Sequence, residues 1–443
     1  MNGSAPGASP GLFAERVGRI GTEEAFKLGP LLTEVEADGR GRVIRCNLGQ
    51  PDFPLPTHIT EAVVDALRAG HTTYCDPQGL PELRRAIAAS VGGERGLEVD
   101  PRRVVVYPGS RPSIGLTQHA YVRAGDEVVY PTPGYPLYES FVEYVGGTPV
   151  PVPLQEDSGF ALTGEELAPH LSLRTRLIYL NFPSNPTGGV ASEEQLAGLA
   201  ETILERTPPT TRVYSDEAYE AIVFDGARHV SIASLPGMAE RTIIASAVSK
   251  TYSWTGGRVG WAVFPTVEEA LVQRNLNINY YASIPPYSQL GAKVALESPA
   301  SPPAIATMVE AFRRRRDFVV DDLNQIPGIR CQLPRGAFYA FPNISGVVES
   351  LEAEAAFAAL PEEIRRRSSP ATLFALFLLY RYRVATMDRR SFGVRGSEGR
   401  HFLRISVATG DEDLREALRR LQQAAADRKG FADFVRSGER LAY

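Results

Sequence analysis

From about residue 100 to 265, short continuous apolar runs alternate with segments of helical spacing. RRVVVYPGS predicts a strand ending in a turn, and SIGLTQHAYVRAG has helical spacing that stops at Gly125. DEVVYP, RLIYLNFP, RVYSDEAY, TIIASAVSK and RVGWAVFP follow as further apolar runs. A strand that is apolar on both faces is covered on both faces, so these runs, separated by helices, predict an α/β core with a mostly parallel sheet. Ligands of such sheets lie at the carboxyl ends of the strands. ESPASPP breaks the pattern near residue 300, and a long helix is expected after it, with Met308, Phe312, Val319 and Leu323 on one face. Arg313 to Arg316 read as a solvated charge load on the other face. The remainder, with GAFYAFPNI and HFLRISVA as strand candidates, reads as a separate α+β domain. The segment before Pro51 has helical spacing but too few apolar residues for its own core, so it is expected to pack there too.

A chain of 443 residues exceeds what one ordinary core supports, so two closely packed domains are expected. The net charge of −5 offers no general attraction to nucleic acid or to an anionic membrane. MNGSAPGASPG lacks the charged and apolar regions of a secretory signal and reads as a flexible leader. The longest apolar run, ATLFALFLLY from Ala371, is about half of what spans a bilayer and predicts a buried helix. Cys46, Cys75 and Cys331 are far apart and odd in number, which fits a reducing cytoplasm. No histidine has metal-ligand spacing to a second ligand, so no metal site is expected.

Only Lys27, Lys250, Lys293 and Lys429 are lysine among the 47 Lys and Arg. A lysine amine can lose its proton when buried and can form a Schiff base, which a guanidinium cannot. Lys250 ends one apolar run, and Gly109-Ser110-Arg111, Asn185-Pro186-Thr187-Gly188 and Asp216 end others, so four strand ends can converge on one pocket. A strand turning into a helix at Gly109-Ser110-Arg111 suits a phosphate, for which Arg258 adds a cation and Ser249 a hydroxyl. A lysine amine beside a phosphate anchor suggests pyridoxal phosphate. Asp216 can keep its ring nitrogen protonated, Tyr219 and Asn185 can bond its phenolic oxygen, and Tyr135 can stack on its ring. Each also has a structural reading: Asp216 as a helix cap, Asn185 as a turn residue, Tyr135 as core.

With these motifs in order, the sequence resembles the class I and II aminotransferases, pyridoxal-phosphate enzymes of fold type I. The resemblance runs from NLGQPDFPLP and TTYCDPQGLPELRRAIA through YPGSRPSIG, AGDEVVYPTPGYPLY, NFPSNPTGG, YSDEAYEAIVFDG and SKTYSWTGGRVGW to RGAFYAFPNI and FLRISVA. It implies a leader and arm (1–50), a large cofactor domain (51–299), a small domain (300–443) with which the arm packs, and a cytoplasmic homodimer with shared active sites. It also implies transfer of an amino group from an α-amino acid to a 2-oxo acid. Lys250 would be the Schiff-base lysine and proton shuttle, and Asp216 the partner of the pyridine nitrogen. Asn185 and Tyr219 would hold the phenolic oxygen, with Tyr135 stacked on the ring. Ser110, the Arg111 backbone, Ser249 and Arg258 would hold the phosphate, with Tyr74 reaching in from the second subunit. Arg404 would grip the substrate α-carboxylate, and Gly49 would line the substrate loop, where a side chain would collide with the ligand.

Three positions depart from the family pattern. Ala247 stands where a phosphate-binding hydroxyl is usual, leaving Ser246 or Ser249 to compensate; Gly257 replaces an aromatic residue before the phosphate arginine; and MDRRSFG, Met387 to Gly393, replaces a Pro-Gly turn in the region expected to close over substrate. The same scaffold can also serve elimination, cyclisation or oxidation. A non-catalytic regulator on this fold would carry a DNA-binding domain ahead of it, for which the leader leaves no room. Arg111, Arg389 and Arg390 read equally as candidates for recognising an acidic side chain and as surface charge in an arginine-rich chain, and Tyr280, Tyr281 and Tyr287 as an aromatic pocket or a dimer interface.

Overall fold

The computed structural model describes residues 11–21 and 24–442. All but the last residue of the expected leader lies outside them. The strands are β1 (Ile44–Arg45), β2 (Val104–Tyr107), β3 (Glu127–Thr132), β4 (Thr148–Pro153), β5 (Thr175–Asn181), β6 (Arg212–Asp216), β7 (Thr242–Ala247), β8 (Gly260–Val263), β9 (Tyr339–Ala340), β10 (Val384–Ala385), β11 (Met387–Asp388) and β12 (Leu403–Ser406). Seven of them form the central sheet in the order β2-β8-β7-β6-β5-β3-β4. The pairs from β7 through β6, β5 and β3 to β4 are parallel, and β8 runs antiparallel to both β7 and β2. The apolar runs on β2, β3 and β5 to β8 are buried and packed against helices on both sides, as their composition demands.

Both margins of this sheet are closed. The amides of Thr148 and Leu154 bond inward to β3, so Pro149, Pro151 and Pro153 occupy the outward nitrogen positions of β4. On β2, side-chain amides replace a neighbouring strand: Gln78 donates to Val104 O at 2.9 Å and Asn277 to Val106 O at 2.8 Å. The prolines also explain why β4 escaped the sequence pattern, since TPVPVP reads as a linker.

A second core holds the chain's two ends together. Leu28, Leu31, Leu32, Val35 and Ile44 pack with residues of the helices Ser301–Asn324, Pro370–Tyr382 and Asp411–Ala426. The run from Ala371 is the buried helix expected of it, and the two strand candidates pair as β9 with β12. Met308, Phe312, Val319 and Leu323 face this core. The arginine run beside them is not a solvated face, because two of its four members are buried. Arg315 bonds Asp52 at 2.8 Å and Asp411 at 2.9 Å, and Arg316 bonds Asp225 at 2.7 Å and lies 4.7 Å from the Phe224 ring. Paired carboxylates and aromatic faces make burial of a guanidinium tolerable, and four consecutive arginines cover more than one face of a helix. The helix from Arg111 also ends earlier than its spacing suggests, at Tyr121, and Gly125 lies in the turn that follows.

Candidate functional site

The turn after β2 is built by close backbone approach. Gly109 has φ +80°, a Cβ on it would run into the Arg258 guanidinium, and one on Gly260 would run into the Ser110 amide. Arg258, itself left-handed at φ +52°, donates to Pro108 O at 2.9 Å and Thr255 O at 3.0 Å. Ser110 opens the helix Arg111–Tyr121, whose N-terminus carries partial positive charge. Burial, and then the nearby Arg111, lower the Arg258 pKa, so this corner favours a bound anion.

Ala247 has no hydroxyl to add here, and Ser246 does not replace it. Ser246 Oγ donates to Glu220 Oε1 at 2.8 Å, away from the turn, which leaves Ser249, buried on the short helix Val248–Thr251. The space beside Gly257 is taken by Trp254: a Cβ at Gly257 would overlap the indole. An aromatic side chain is thus supplied from three residues upstream.

Strands β5, β6 and β7 end side by side, with Asn181 opposite Asp216 and Asp216 opposite Ala245. Asn181 Nδ2 donates to Asp216 O at 2.9 Å, and Asn181 Oδ1 accepts the Asn185 amide at 2.9 Å, so one side chain aligns β6 with the following loop. Asp216 is buried and accepts from the Tyr138 hydroxyl at 2.7 Å and the Ala218 amide at 3.3 Å. Burial pushes its carboxyl up to about 6, against the pull of these donors. Lys250 Nζ donates to Gly49 O, which joins the β7 end to the arm of the second core. A Cβ on Gly49 would stand 2.8 Å from the Tyr339 hydroxyl, so the protein's own tyrosine forbids a side chain there.

Arg404, on β12 and 4% exposed, lies between two aromatic faces, 4.5 Å from Tyr339 and 4.8 Å from Phe392. It donates to Asn185 Oδ1 at 2.9 Å, Asn47 O at 2.6 Å and Met387 Sδ at 3.4 Å, while its Nε and the Asn47 Oδ1 are buried without a partner. The Tyr219 and Tyr339 hydroxyls are 2.9 Å apart. Asn185, Tyr219, Gly49, Lys250 and Arg404 are therefore linked within one chain, directly or through Tyr339. Tyr135 is tied in through Tyr138, 5.7 Å away edge to face, and the Arg111 guanidinium lies 5.8 Å from the Tyr135 ring. Tyr74 stands apart, 87% exposed.

Two acid-recognition candidates are turned elsewhere. Arg389 is fully buried against Thr132 and two loop carbonyls, and Arg390 donates to Arg366 O. Arg111 and Lys27, by contrast, line a cavity of about 570 Å³ with His119, Phe141, Tyr280 and Tyr281. Tyr138, Tyr339, Asn47 and Asn181 were missed by the sequence reading. Tyr339 lies in GAFYAFPNI, which had read as a strand, and Tyr138, three residues after Tyr135, had been given no role.

Beside Asp216, Glu217, Glu220 and His229 bring ligand atoms close enough for a metal ion. Arg95 fills that space: its guanidinium bonds both glutamates, and Glu217 also accepts from Ser215 Oγ at 2.7 Å and His229 Nε2 at 3.0 Å. No metal is needed where a guanidinium already satisfies the carboxylates.

Residues 42–421 match the family model "Aminotransferase class I and II". The chain is 36% identical over 413 residues to a probable aspartate/prephenate aminotransferase of Aquifex aeolicus, covering 93% of this chain and 98% of that protein. It is 35% identical to the arginine–pyruvate transaminase AruH of Pseudomonas aeruginosa, over 88% of this chain and 92% of that one. Among solved structures, the aspartate aminotransferase of Rhizobium meliloti superposes with a TM-score of 0.82 at 33% identity, covering 93% of this chain and 98% of that chain.

Proposed function

The chain belongs to the class I and II aminotransferases and is a pyridoxal-phosphate-dependent transaminase, and we propose that it takes its amino group from an acidic α-amino acid of the aspartate type, with Lys250 carrying the proton. The observation that carries the α-carboxylate part is Arg404, a buried guanidinium held between aromatic faces with an unpartnered Nε. A planar fork of this kind binds a carboxylate through two parallel hydrogen bonds. Names of relatives support the same class, since several are aspartate aminotransferases.

The residues present fit the cofactor. Asp216 is a buried carboxyl whose hydrogen-bond donors are neutral, and a protonated ring nitrogen would return it to its charged form. The corner of Gly109, Ser110, Ser249 and Arg258 would hold the phosphate, with the Arg111 amide. Asn185 and Tyr219 would bond the phenolic oxygen, and Tyr135 would cover the ring face. Pyridoxal phosphate supplies, when bound, an aldehyde that condenses with an amine and a ring that accepts the electrons of a deprotonated α-carbon. Arg404 orients the substrate by its carboxylate so that the α-proton faces Lys250. Lys250 Nζ would take that proton and carry it, and in the structure its amine donates to Gly49 O. Tyr339, against both Tyr219 and Arg404, keeps phenol and guanidinium in register.

The same reading divides the chain into a large unit, 51–299, and a small one, 300–443, with which the arm 1–50 packs. It makes the protein a cytoplasmic homodimer, with Tyr74 of each copy serving the other's site. The core that residues 28–46 share with 308–441, which also takes in Ala218, Tyr219, Ile222 and Phe224 of the large unit, supports the packing of the arm with the small one. Three cysteines, none in a disulfide, support the compartment. No helix of the described residues is long and apolar enough to cross a membrane.

The test is a panel of amino acids given to the purified holoenzyme without an acceptor. L-Aspartate should release one equivalent of 2-oxo acid and change the absorbance of the bound cofactor, and Lys250→Ala should abolish turnover while keeping the fold. Release of ammonia, or turnover by the alanine variant, would overturn the reading.

A further inference from the structure

Arg389 is the largest fully buried side chain described, at 1% exposure. The hydrogen bonds its guanidinium makes all go to neutral oxygens: Gly393 O at 2.9 Å, Thr132 Oγ1 at 2.8 Å and Gly396 O at 3.1 Å. Its Nε is buried without a partner, and burial followed by the field of Arg400 lowers its pKa to about 10. The charges of Asp388, Glu139 and Glu398 offset part of the cost of burying this cation, but none of them is among its hydrogen-bond partners, so its bonds are spent on tying the loop and the β3 end together.

Its contacts span two parts of the fold. Thr132 ends β3 and leads into the Pro133-Gly134-Tyr135 turn, while Gly393 and Gly396 belong to the loop between β11 and β12. Two more bonds follow the same seam: the Gly134 amide donates to Phe392 O at 2.9 Å, and Thr132 Oγ1 donates to Arg395 O at 3.0 Å. Gly393 has φ +115°, and a Cβ there would stand 2.9 Å from Thr132 Oγ1, so this loop path needs glycine. One side of the seam is Tyr135. The other is Phe392 and Met387, which touch the Arg404 guanidinium from the ring side and the sulfur side.

We infer that Arg389 is a positioning residue for substrate carboxylate: by fixing the 389–396 loop to the end of β3, it holds Phe392 on Arg404, opposite the Met387 that the β11–β12 pairing sets there, and keeps the anchor aimed before substrate arrives. The departure MDRRSFG then has a physical meaning. A turn that would have to close is replaced by one that a buried arginine holds shut, so less ordering remains to be done on binding. This rests on the reading of Arg404 as the carboxylate anchor and of the substrate as acidic.

The test uses the holoenzyme with succinate, a dicarboxylate that cannot react, its dissociation constant read from the change it causes in cofactor absorbance. Arg389→Met should weaken succinate about tenfold or more and raise the KM for L-aspartate as much, with kcat within about threefold and cofactor affinity unchanged. Arg389→Lys, which keeps the charge and one donor, should fall between. Arg404→Gln is the reference. If it loses succinate while Arg389→Met binds it like the unsubstituted enzyme, the inference is wrong and the reading of Arg404 stands. If Arg404→Gln binds succinate normally, that reading fails first. Parallel loss of kcat, cofactor affinity and succinate in Arg389→Lys would reduce Arg389 to a fold residue and overturn the inference.

Discussion

Asp216 sits under opposed influences: burial raises its carboxyl to about 6, and the Tyr138 hydroxyl and Ala218 amide pull it down. An unfolded aspartate titrates near 4, so the folded, cofactor-free chain holds this proton more tightly than the unfolded one. The contribution is present in full below about pH 4 and is lost as pH rises through about 6. The urea midpoint of the cofactor-free protein should therefore carry a falling component across that window, and Asp216→Asn should remove it. Tyr138→Phe takes away one donor to the carboxylate and should lower kcat/KM for the amino acid about tenfold, measured in single turnovers. At this scale the sequence was most readable where a polar residue ends an apolar run, as at Asp216, Lys250 and Asn185. Tyr138 and Tyr339 were hidden because a tyrosine within an apolar stretch reads as core, and Arg389 was named as a candidate for binding an acidic side chain or as surface charge, not as a buried tie between two loops. Only three-dimensional contact separates such residues from their ordinary uses.

Between elements, the cluster of Arg95, Glu217, Glu220 and His229 clamps the helix Pro81–Arg95 to the ends of β6 and β7, where Asp216 and Lys250 begin their work. Glu217→Gln removes the fully buried carboxylate partner of Arg95, leaving Glu220 and the exposed Glu94, and should cost about 3 kcal/mol in denaturant unfolding. Burial pulls the His229 pKa down, but the charge and hydrogen bond of Glu217 outweigh it and leave it raised. A raised folded pKa means stability that is full below the unfolded value, about 6.5, and is lost as pH rises through the folded one. His229→Gln should flatten that alkaline loss in a melting series. The run RVGWAVFP identified β8 but not its antiparallel direction, because burial on both faces gives the same composition either way. Gly257 had looked like a lost aromatic contact, and Trp254 supplies it from a position that spacing alone does not mark.

For the molecule as a whole, the proposed dimer has a candidate face. Tyr74 is 87% exposed, and the helix Val267–Tyr281 leaves Leu271, Val272, Ile278 and Tyr280 in solvent. Sedimentation equilibrium should give twice the mass of the chain. If Tyr74 serves the neighbouring site, mixing Lys250→Ala chains with Tyr74→Phe chains should restore one intact site per mixed dimer. If each Tyr74 serves its own chain, mixing restores nothing. How the copies meet is constrained by the margins of the central sheet. With proline at each outward nitrogen of β4, that margin has no outward N–H donor, and on β2 the side-chain amides of Gln78 and Asn277 occupy the carbonyls of Val104 and Val106. A strand added at either margin would lack half of its ladder partners, so edge-to-edge pairing of this sheet is disfavoured, which protects the protein from growing into a fibril.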